Sequence, residues 1–278
     1  MKLRPLVVVI PLLILVWGTN TSRPGSKVEG CFDSCAISVP DPNPALRVVS
    51  LNMLHGFPTF HRLSQRLELI AQELIRLSPD IILLQEVPWT PKTRNAAGFL
   101  AGRVGMNYAY LRANGNKWTL LFEEGEAILS RYPLGGLEYL ELQPRAGFFE
   151  HRVVLHATAT TTLGDIDLFV THLTNGEAEV NQAQSGALQA FVNPIQAHFA
   201  IIAGDFNAVP DSEQIQVLQS RWVDAFTLTD LAAGGNTCCI ADLTKDSGIP
   251  GKRIDYIFLA PGMTLPAVVG AERVFTQA

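Results

Sequence analysis

One stretch of the sequence, Ile201-Ile-Ala-Gly-Asp205-Phe-Asn207, joins a short apolar run to two polar side chains. The apolar run overlaps the segment Ala200–Ala203, whose length and composition predict a buried strand. Asp205 and Asn207 follow this strand, and residues two apart in an extended segment face the same way. Open α/β sheets gather their sites at the carboxyl ends of strands. The stretch therefore predicts an α/β fold with a polar site at one sheet edge.

The rest of the chain alternates strand and helix patterns. Further strands are predicted at Leu46–Leu51, Ile81–Leu84, Tyr108–Arg112, Ala127–Ser130, Arg152–Thr160, Ile166–His172 and Ile254–Leu259. Helices are predicted over Leu63–Leu77, Ala96–Arg103, Glu179–Phe191 and Ser212–Gln219. Pro79 ends the first helix, and Gly164-Asp165 is a candidate hairpin turn. This alternation favours one catalytic α/β domain.

Polar side chains follow several of these strands in the same way as Asp205 follows its own. Asn52, Glu86 and His172 each lie at or just past the carboxyl end of an apolar run. Five such side chains, counted with Asp205 and Asn207, are thus expected at one edge of the sheet. Their types are those that bind metal ions and phosphates.

The carboxylate and amide among them predict a site for a hard cation. Mg²⁺ prefers one or two carboxylates, with water and a substrate phosphate completing its shell. Glu86 and Asn52 are the candidate ligands, and Mn²⁺ is the alternative ion.

The remaining polar residues fit the other needs of phosphoester hydrolysis, which are an activated water and stabilised charge on the phosphoryl group. Asp205 is the candidate general base. Asn207 is placed to hydrogen-bond the water or a phosphate oxygen. His172 can donate to a phosphoryl oxygen, and Arg152 offers a forked cation for the same purpose.

Six short motifs in order resemble the endonuclease/exonuclease/phosphatase superfamily, which includes pancreatic deoxyribonuclease and sphingomyelinases. They are Ser50-Leu-Asn52, Leu84-Gln-Glu86, Gly125-Glu-Ala-Ile-Leu-Ser-Arg-Tyr-Pro133, Thr171-His-Leu173, Gly204-Asp-Phe-Asn207 and Arg253-Ile-Asp-Tyr256. The resemblance implies a four-layer α/β sandwich of two packed sheets flanked by helices. It also implies metal-dependent hydrolysis by direct attack of water, as in a phosphodiesterase, nuclease or phosphatase. It places Asp255 in a supporting position behind the catalytic residues.

The sequence departs from this family at two places. A Ser-Asp-His segment is expected some tens of residues after Tyr256, and the sequence reaches Ala278 without it. We expect the sequence to be truncated before that segment. The alternative is a secreted module of the same fold that binds a phosphate ligand with little or no catalysis. Leu54 stands where some repair endonucleases carry an acidic residue, which disfavours repair chemistry.

The formal net charge of −5 bears on the partner. A protein that grips long nucleic acid without specificity usually presents a strongly basic face. The acidic balance therefore disfavours a general nuclease. Lipid headgroups, small phosphoesters and extracellular nucleic acid all stay open as substrates, and a monomer is expected.

The N-terminal part predicts export. Residues 1–22 combine Lys2 and Arg4 with an apolar run from Leu6 to Trp17, which is typical of a signal peptide. An uncleaved anchor that associates with the membrane is the alternative, so the protein is expected to be periplasmic, extracellular or membrane-anchored. Residues 23–44 form a Cys-containing arm and Pro-rich linker, and residues 45–278 form the domain.

The four cysteines fit an oxidising compartment. Neighbouring cysteines rarely bridge, so one or two disulfides are expected between the Cys31/Cys35 segment and the Cys238/Cys239 segment. A zinc site is the weaker alternative, because no histidine is close in sequence.

Several other polar residues have ordinary structural explanations. Two explanations stay open for Glu126: it lies near the site, or it lies at a solvated strand edge. The remaining histidines are expected to be structural or solvated: His55, His61, His151, His156 and His198.

Overall fold

A computed structural model describes residues 23–37, 45–147, 149–195, 199–229, 235–239, 250–260 and 268–275. Within these ranges the chain forms two mixed β-sheets with helices outside them. The predicted signal peptide or anchor, residues 1–22, lies outside the described residues. None of the described helices is both long and apolar enough to cross a bilayer.

Within the described residues, the first sheet has seven strands in the order β1-β6-β7-β3-β2, with β4 paired to β7 and β5. They are β1 (Glu29–Cys31), β2 (Val48–Asn52), β3 (Ile81–Gln85), β4 (Trp89–Thr90), β5 (Arg94–Asn95), β6 (Asn107–Asn116) and β7 (Phe122–Ser130). The β1 strand pairs with β6, so this sheet extends into the arm that precedes residue 45.

The second sheet has six strands in the described part of the chain, in the order β12-β13-β11-β10-β9-β8. They are β8 (Leu134–Glu141), β9 (Val153–Thr161), β10 (Gly164–His172), β11 (Phe199–Asp205), β12 (Val223–Asp224) and β13 (Asp255–Ala260). The helices are α1 (Leu63–Leu77), α2 (Ala96–Val104), α3 (Ala178–Ile195) and α4 (Glu213–Gln219), with a short 3₁₀ helix at Ala225–Leu228.

Three apolar clusters hold these layers together. The cluster between the sheets includes Leu83, Ile128, Leu155 and Leu168. The cluster under α1 and α2 includes Leu67, Leu74, Ile82, Leu100 and Leu129. The cluster on the outer face of the second sheet includes Phe169, Leu188, Ile202, Ile215 and Phe258. The predicted four-layer α/β sandwich is confirmed.

Most helices and strands begin and end near the predicted residues, because the positions that the fold buries carry apolar side chains. In α1, for example, Leu67 and Leu74 are fully buried, and Ser78 ends the helix in the left-handed conformation just before Pro79. One predicted turn was wrong. Gly164 and Asp165 begin β10, and the turn lies just before them, where the Thr161 hydroxyl donates to the Gly164 carbonyl at 2.7 Å.

The predicted disulfide connectivity was also wrong. Cys31 is bonded to Cys35, with a Cα–Cα distance of 6.0 Å, and Cys238 is bonded to its neighbour Cys239. The first pair closes a short loop directly after β1, where the chain turns back on itself. No residue pattern in the sequence predicts these local pairings.

Candidate functional site

The strand register brings the predicted polar residues to one edge of the sandwich. In the second sheet, parallel pairing of β10 with β11 sets His172 beside Asp205, and antiparallel pairing of β11 with β13 sets Asp255 on the other side of Asp205. In the first sheet, β2 and β3 end together, at Asn52 and just before Glu86. The two sheets thus present their polar strand ends to the same cleft.

Local backbone conformation aims two of these side chains. Glu86 and Asn207 have φ values of 52° and 50°, in the left-handed region that residues with a side chain rarely adopt. Such conformations persist where the surrounding structure enforces them, and they cluster at functional sites. Glu86 directly follows β3, and Asn207 comes two residues after the end of β11.

Asn52 links the carboxylates of the two sheets. Its amide Nδ2 donates to Glu86 Oε1 and to Asp205 Oδ2, each at 3.1 Å. Its Oδ1 accepts a hydrogen bond from the backbone of Leu54 at 3.0 Å. Two carboxylates that would otherwise repel each other are therefore held around one positively polarised group.

Asp205 is buried and lies next to a second carboxylate. Burial, followed by the neighbouring carboxylate of Asp255, raises the pKa of Asp205 to about 7. Hydrogen bonds from the Asn207 backbone, at 2.9 Å, and from Asn52 act in the opposite direction. Burial also raises the pKa of Asp255, whose partner in the described structure is Thr237.

His172 is oriented through both ring nitrogens. Arg152 Nη1 donates to His172 Nδ1 at 2.9 Å, and Asn207 Nδ2 lies 3.0 Å from Nε2. Arginine and the amide Nδ2 are both donors, so a neutral imidazole can accept a hydrogen bond from only one of them. The Nε2 atom is 3.8 Å from Asp205 Oδ2. Burial, followed by the charges of Arg152 and His55, holds the pKa of His172 well below its usual range.

Behind Arg152 lie two buried carboxyl groups on β7. Glu124 accepts a hydrogen bond from Asn114, and burial raises its pKa. Glu126 is 1% exposed, and burial together with the charge of Glu124 raises its pKa well above the usual range. Of the two explanations left open for Glu126, its burial excludes the solvated strand edge. Arg152 also forms an ion pair with Glu150.

Sequence reasoning missed His55 as part of the site. Its backbone N–H donates to Glu86 Oε2 at 3.1 Å, and its ring Nε2 is 3.4 Å from the same oxygen. The only signal was its position three residues after Asn52. Two other histidines are structural, as predicted. His151 bonds Glu141, and His156 bonds Asp167.

The donor set suits a hard cation held largely by water and substrate. Among the described residues no group of three or more His, Cys, Asp or Glu side chains is arranged to hold a metal ion. Mg²⁺ does not need such a group, because one or two carboxylates with water and phosphate satisfy it. Glu86 supplies one carboxylate. Asn52 directs its Nδ2 to that carboxylate and its Oδ1 to the Leu54 N–H, so it offers an oxygen to the same ion only after its amide turns over.

The sequence profile of the endonuclease/exonuclease/phosphatase family matches residues 49–273. The chain belongs to this family. The matched region contains all seven residues predicted for the site. No curated protein sequence is similar enough to the chain to count as a match.

Solved structures of the endonuclease/exonuclease/phosphatase fold are similar to this chain. A mannosyl-6-phosphatase from Bacteroides thetaiotaomicron aligns with a TM-score of 0.62 and 17% identity, over 78% of this chain and 86% of that one. A family protein from Leptotrichia buccalis aligns at 0.58 and 18% identity, over 77% and 87%. A β-hairpin deletion mutant of beta toxin from Staphylococcus aureus aligns at 0.57 and 16%, over 82% and 91%.

Proposed function

We propose that this chain is a divalent-metal-dependent phosphoester hydrolase that attacks phosphorus directly with an activated water. The observation that supports it most is the bridge from Asn52 to both Glu86 and Asp205. The Asn52 side chain alone thus connects a candidate metal ligand, Glu86, to the candidate general base, Asp205. Family membership supports hydrolysis of phosphoesters in general.

Glu86 and Asn52 would hold the metal, with Mg²⁺ as the expected ion and Mn²⁺ as a substitute. When bound, the ion supplies positive charge against the phosphoryl oxygens. The chain's own contribution is to hold the Glu86 carboxylate before substrate arrives, with Asn52 beside it. The left-handed backbone at Glu86 and the hydrogen bond from His55 to its Oε2 provide this fixed geometry.

Asp205 would take the proton of the attacking water. A base is most effective when its pKa lies near the working pH, and burial brings Asp205 toward that range. Asn207, anchored by donation from Nδ2 to the Leu173 carbonyl at 3.0 Å, would orient the water or a phosphate oxygen. Asp255 would act on Asp205 through charge.

His172 and Arg152 would stabilise negative charge on the phosphoryl group. A neutral His172 that accepts from Arg152 at Nδ1 would carry its proton on Nε2, and it would donate this proton to a phosphoryl oxygen once the Asn207 amide moves away from that nitrogen. Arg152 would favour that tautomer and keeps a permanent cation next to the site. Preorganised donors of this kind typically contribute 10²–10³-fold to rate.

Hydrolysis of bis(p-nitrophenyl) phosphate and p-nitrophenyl phosphate tests the proposal. We expect Asp205→Asn and Glu86→Gln each to lower kcat by about 10³-fold or more. Asp165→Asn, an exposed aspartate at the far end of β10, is the matched control and should retain full activity. Equal activity in all four proteins would refute the roles of Asp205 and Glu86.

The competing proposal is a binding module of the same fold. Two measurements together distinguish the proposals. A binding module would bind inorganic phosphate in calorimetry and hydrolyse neither substrate, whereas a hydrolase would turn over at least one of them. A substrate panel of plasmid DNA, phospholipids, inositol phosphates and mannose 6-phosphate then identifies the ester, with the last suggested by the mannosyl-6-phosphatase relative. Export from the cytoplasm stays a prediction.

A further inference from the structure

Two loops beside the cleft expose large apolar side chains. Trp118 is 89% exposed, and four other residues are about half exposed. These five, Leu54, Phe57, Trp118, Leu120 and Leu121, are called the apolar rim. Single exposed apolar residues are ordinary, but a large apolar group in one region usually marks an interaction surface.

Aromatic packing and a tight turn fix the two loops of the rim against each other. The ring of Phe57 stacks on Phe122 with centroids 4.7 Å apart. The side chain of Asn116 accepts hydrogen bonds from the backbone N–H groups of Trp118 and Thr119, at 2.8 and 3.1 Å. The Trp118 side chain is thus presented to solvent by an ordered turn between β6 and β7.

The rim is continuous with the candidate active site. The ring of His55 lies 5.1 Å from that of Phe122, which follows Leu121 directly. The same His55 donates from its backbone to Glu86 Oε2. A surface that covered the rim would therefore lie next to the proposed metal site.

The charged side chains of the loops around the rim have one sign, apart from the carboxylates of the adjoining strands. The loops at 53–62, 87–95 and 115–122 contain no Asp or Glu, although the chain as a whole carries a net charge of −5. Their cations are Arg62, Lys92, Arg94 and Lys117. Arg94 and Lys117 lie over the ring of Trp89, at 5.9 and 5.6 Å, and Lys117 also contacts carboxylates of the first sheet at 3.4 Å.

We infer that the apolar rim docks on an anionic phospholipid bilayer and that the hydrolase acts on a phosphoester group at that surface. Exposed Trp and Leu side chains enter the boundary between headgroups and acyl chains, while Lys and Arg contact the lipid phosphates. The combination of an apolar tip and acid-free, basic loops fits this occupant. The inference rests on the proposed hydrolase function for the choice of substrate class.

Vesicle flotation tests the docking directly. The full chain is mixed with phosphatidylcholine vesicles, with or without phosphatidylglycerol. We expect the triple variant Trp118→Ala, Leu120→Ser, Leu121→Ser to bind the anionic vesicles about tenfold or more weakly than the unchanged protein. Lys92→Gln with Arg94→Gln should remove most of the preference for phosphatidylglycerol. Leu163→Ser, a similarly exposed leucine in the turn between β9 and β10, is the matched control.

A second measurement is specific to residue 118, because the apolar run in residues 6–17 is present in every variant and can itself bind lipid. The emission of Trp118 is the difference between the unchanged protein and Trp118→Phe. We expect vesicles brominated in the acyl chains to quench this difference emission. The inference would be overturned if this emission is not quenched and the triple variant floats with vesicles as well as the unchanged protein does. The rim would then be a surface for a protein partner.

Comparison of two substrates separates this inference from the hydrolase proposal. The triple variant should hydrolyse vesicle phosphatidylglycerol about tenfold more slowly and bis(p-nitrophenyl) phosphate at the unchanged rate. The inactive Asp205→Asn variant should bind vesicles normally. Hydrolysis of the soluble ester without vesicle docking would support the hydrolase proposal and refute membrane docking. Docking without hydrolysis of either ester would support membrane docking and refute the hydrolase proposal.

Discussion

Replacing Gly204 with alanine should damage both the fold and the site, because the backbones of β10 and β11 approach each other closely there. A Cβ atom on Gly204 would lie 1.9 Å from the Thr171 carbonyl oxygen and 2.9 Å from its carbon. Both atoms belong to the backbone, so no side-chain rotation relieves the clash. The strands must separate at the residues that immediately precede Asp205 and His172.

The size of the effect follows from the position of Gly204 in the sheet. Overpacking a core typically costs 1–3 kcal/mol, and β11 is an interior strand that β10 and β13 flank. We expect Gly204→Ala to lower the free energy of unfolding by about 2–4 kcal/mol. A displacement of about 1 Å between Asp205 and His172 should also lower kcat by about 10²-fold.

Urea unfolding, followed by the fluorescence of the buried Trp222, measures the stability change. The control is Gly186→Ala in α3, where an added Cβ meets no atom within 4 Å. It should raise stability by about 0.5–1 kcal/mol through helix propensity. If Gly204→Ala unfolds at the same urea concentration as the unchanged protein, the steric explanation of this glycine is refuted.

Three further changes test buried polar groups. The pKa of Glu126 is raised in the folded state, so the stability of the unchanged protein should fall as pH rises above about 4.3. Glu126→Gln should remove part of that loss, which urea unfolding at pH 5 and pH 8 would show. Asn181 donates to two backbone carbonyls, at 2.7 and 2.9 Å, so Asn181→Leu should cost about 2–4 kcal/mol in the same assay, and no change would contradict the reasoning. Arg253→Leu leaves Asp224 buried without its 2.6 Å ion pair and should cost about 3–5 kcal/mol, whereas the double variant with Asp224→Asn should recover part of this loss in thermal unfolding.

Much of the fold could be predicted because its central strands are buried on both faces. Their apolar runs, such as Ile81–Leu84, leave little choice of structure, and polar residues at their ends stand out. The edge strand β8 was missed, since most of its residues face solvent and two of its first three are glycine. Its sequence therefore lacks an apolar pattern.

The incomplete part of the site prediction has a different cause. Glu124 and Glu126 occupy alternate positions along β7, as solvated side chains often do, yet the fold buries both of them near Arg152. Likewise, His55 reaches Glu86 through a loop conformation that no periodic pattern encodes. Packing between distant segments determined both outcomes.

The dependence of hydrolysis on Mg²⁺ tests the central claim most directly. Protein treated with chelator should not hydrolyse bis(p-nitrophenyl) phosphate, and added Mg²⁺ should restore the full rate. For Glu86→Gln, the Mg²⁺ concentration that gives half the maximal rate should rise about tenfold or more, since one carboxylate of the proposed site is lost. Hydrolysis that persists in chelator, or an unchanged half-saturation concentration in Glu86→Gln, would contradict the assignment of a metal-dependent hydrolase with Glu86 as its ligand.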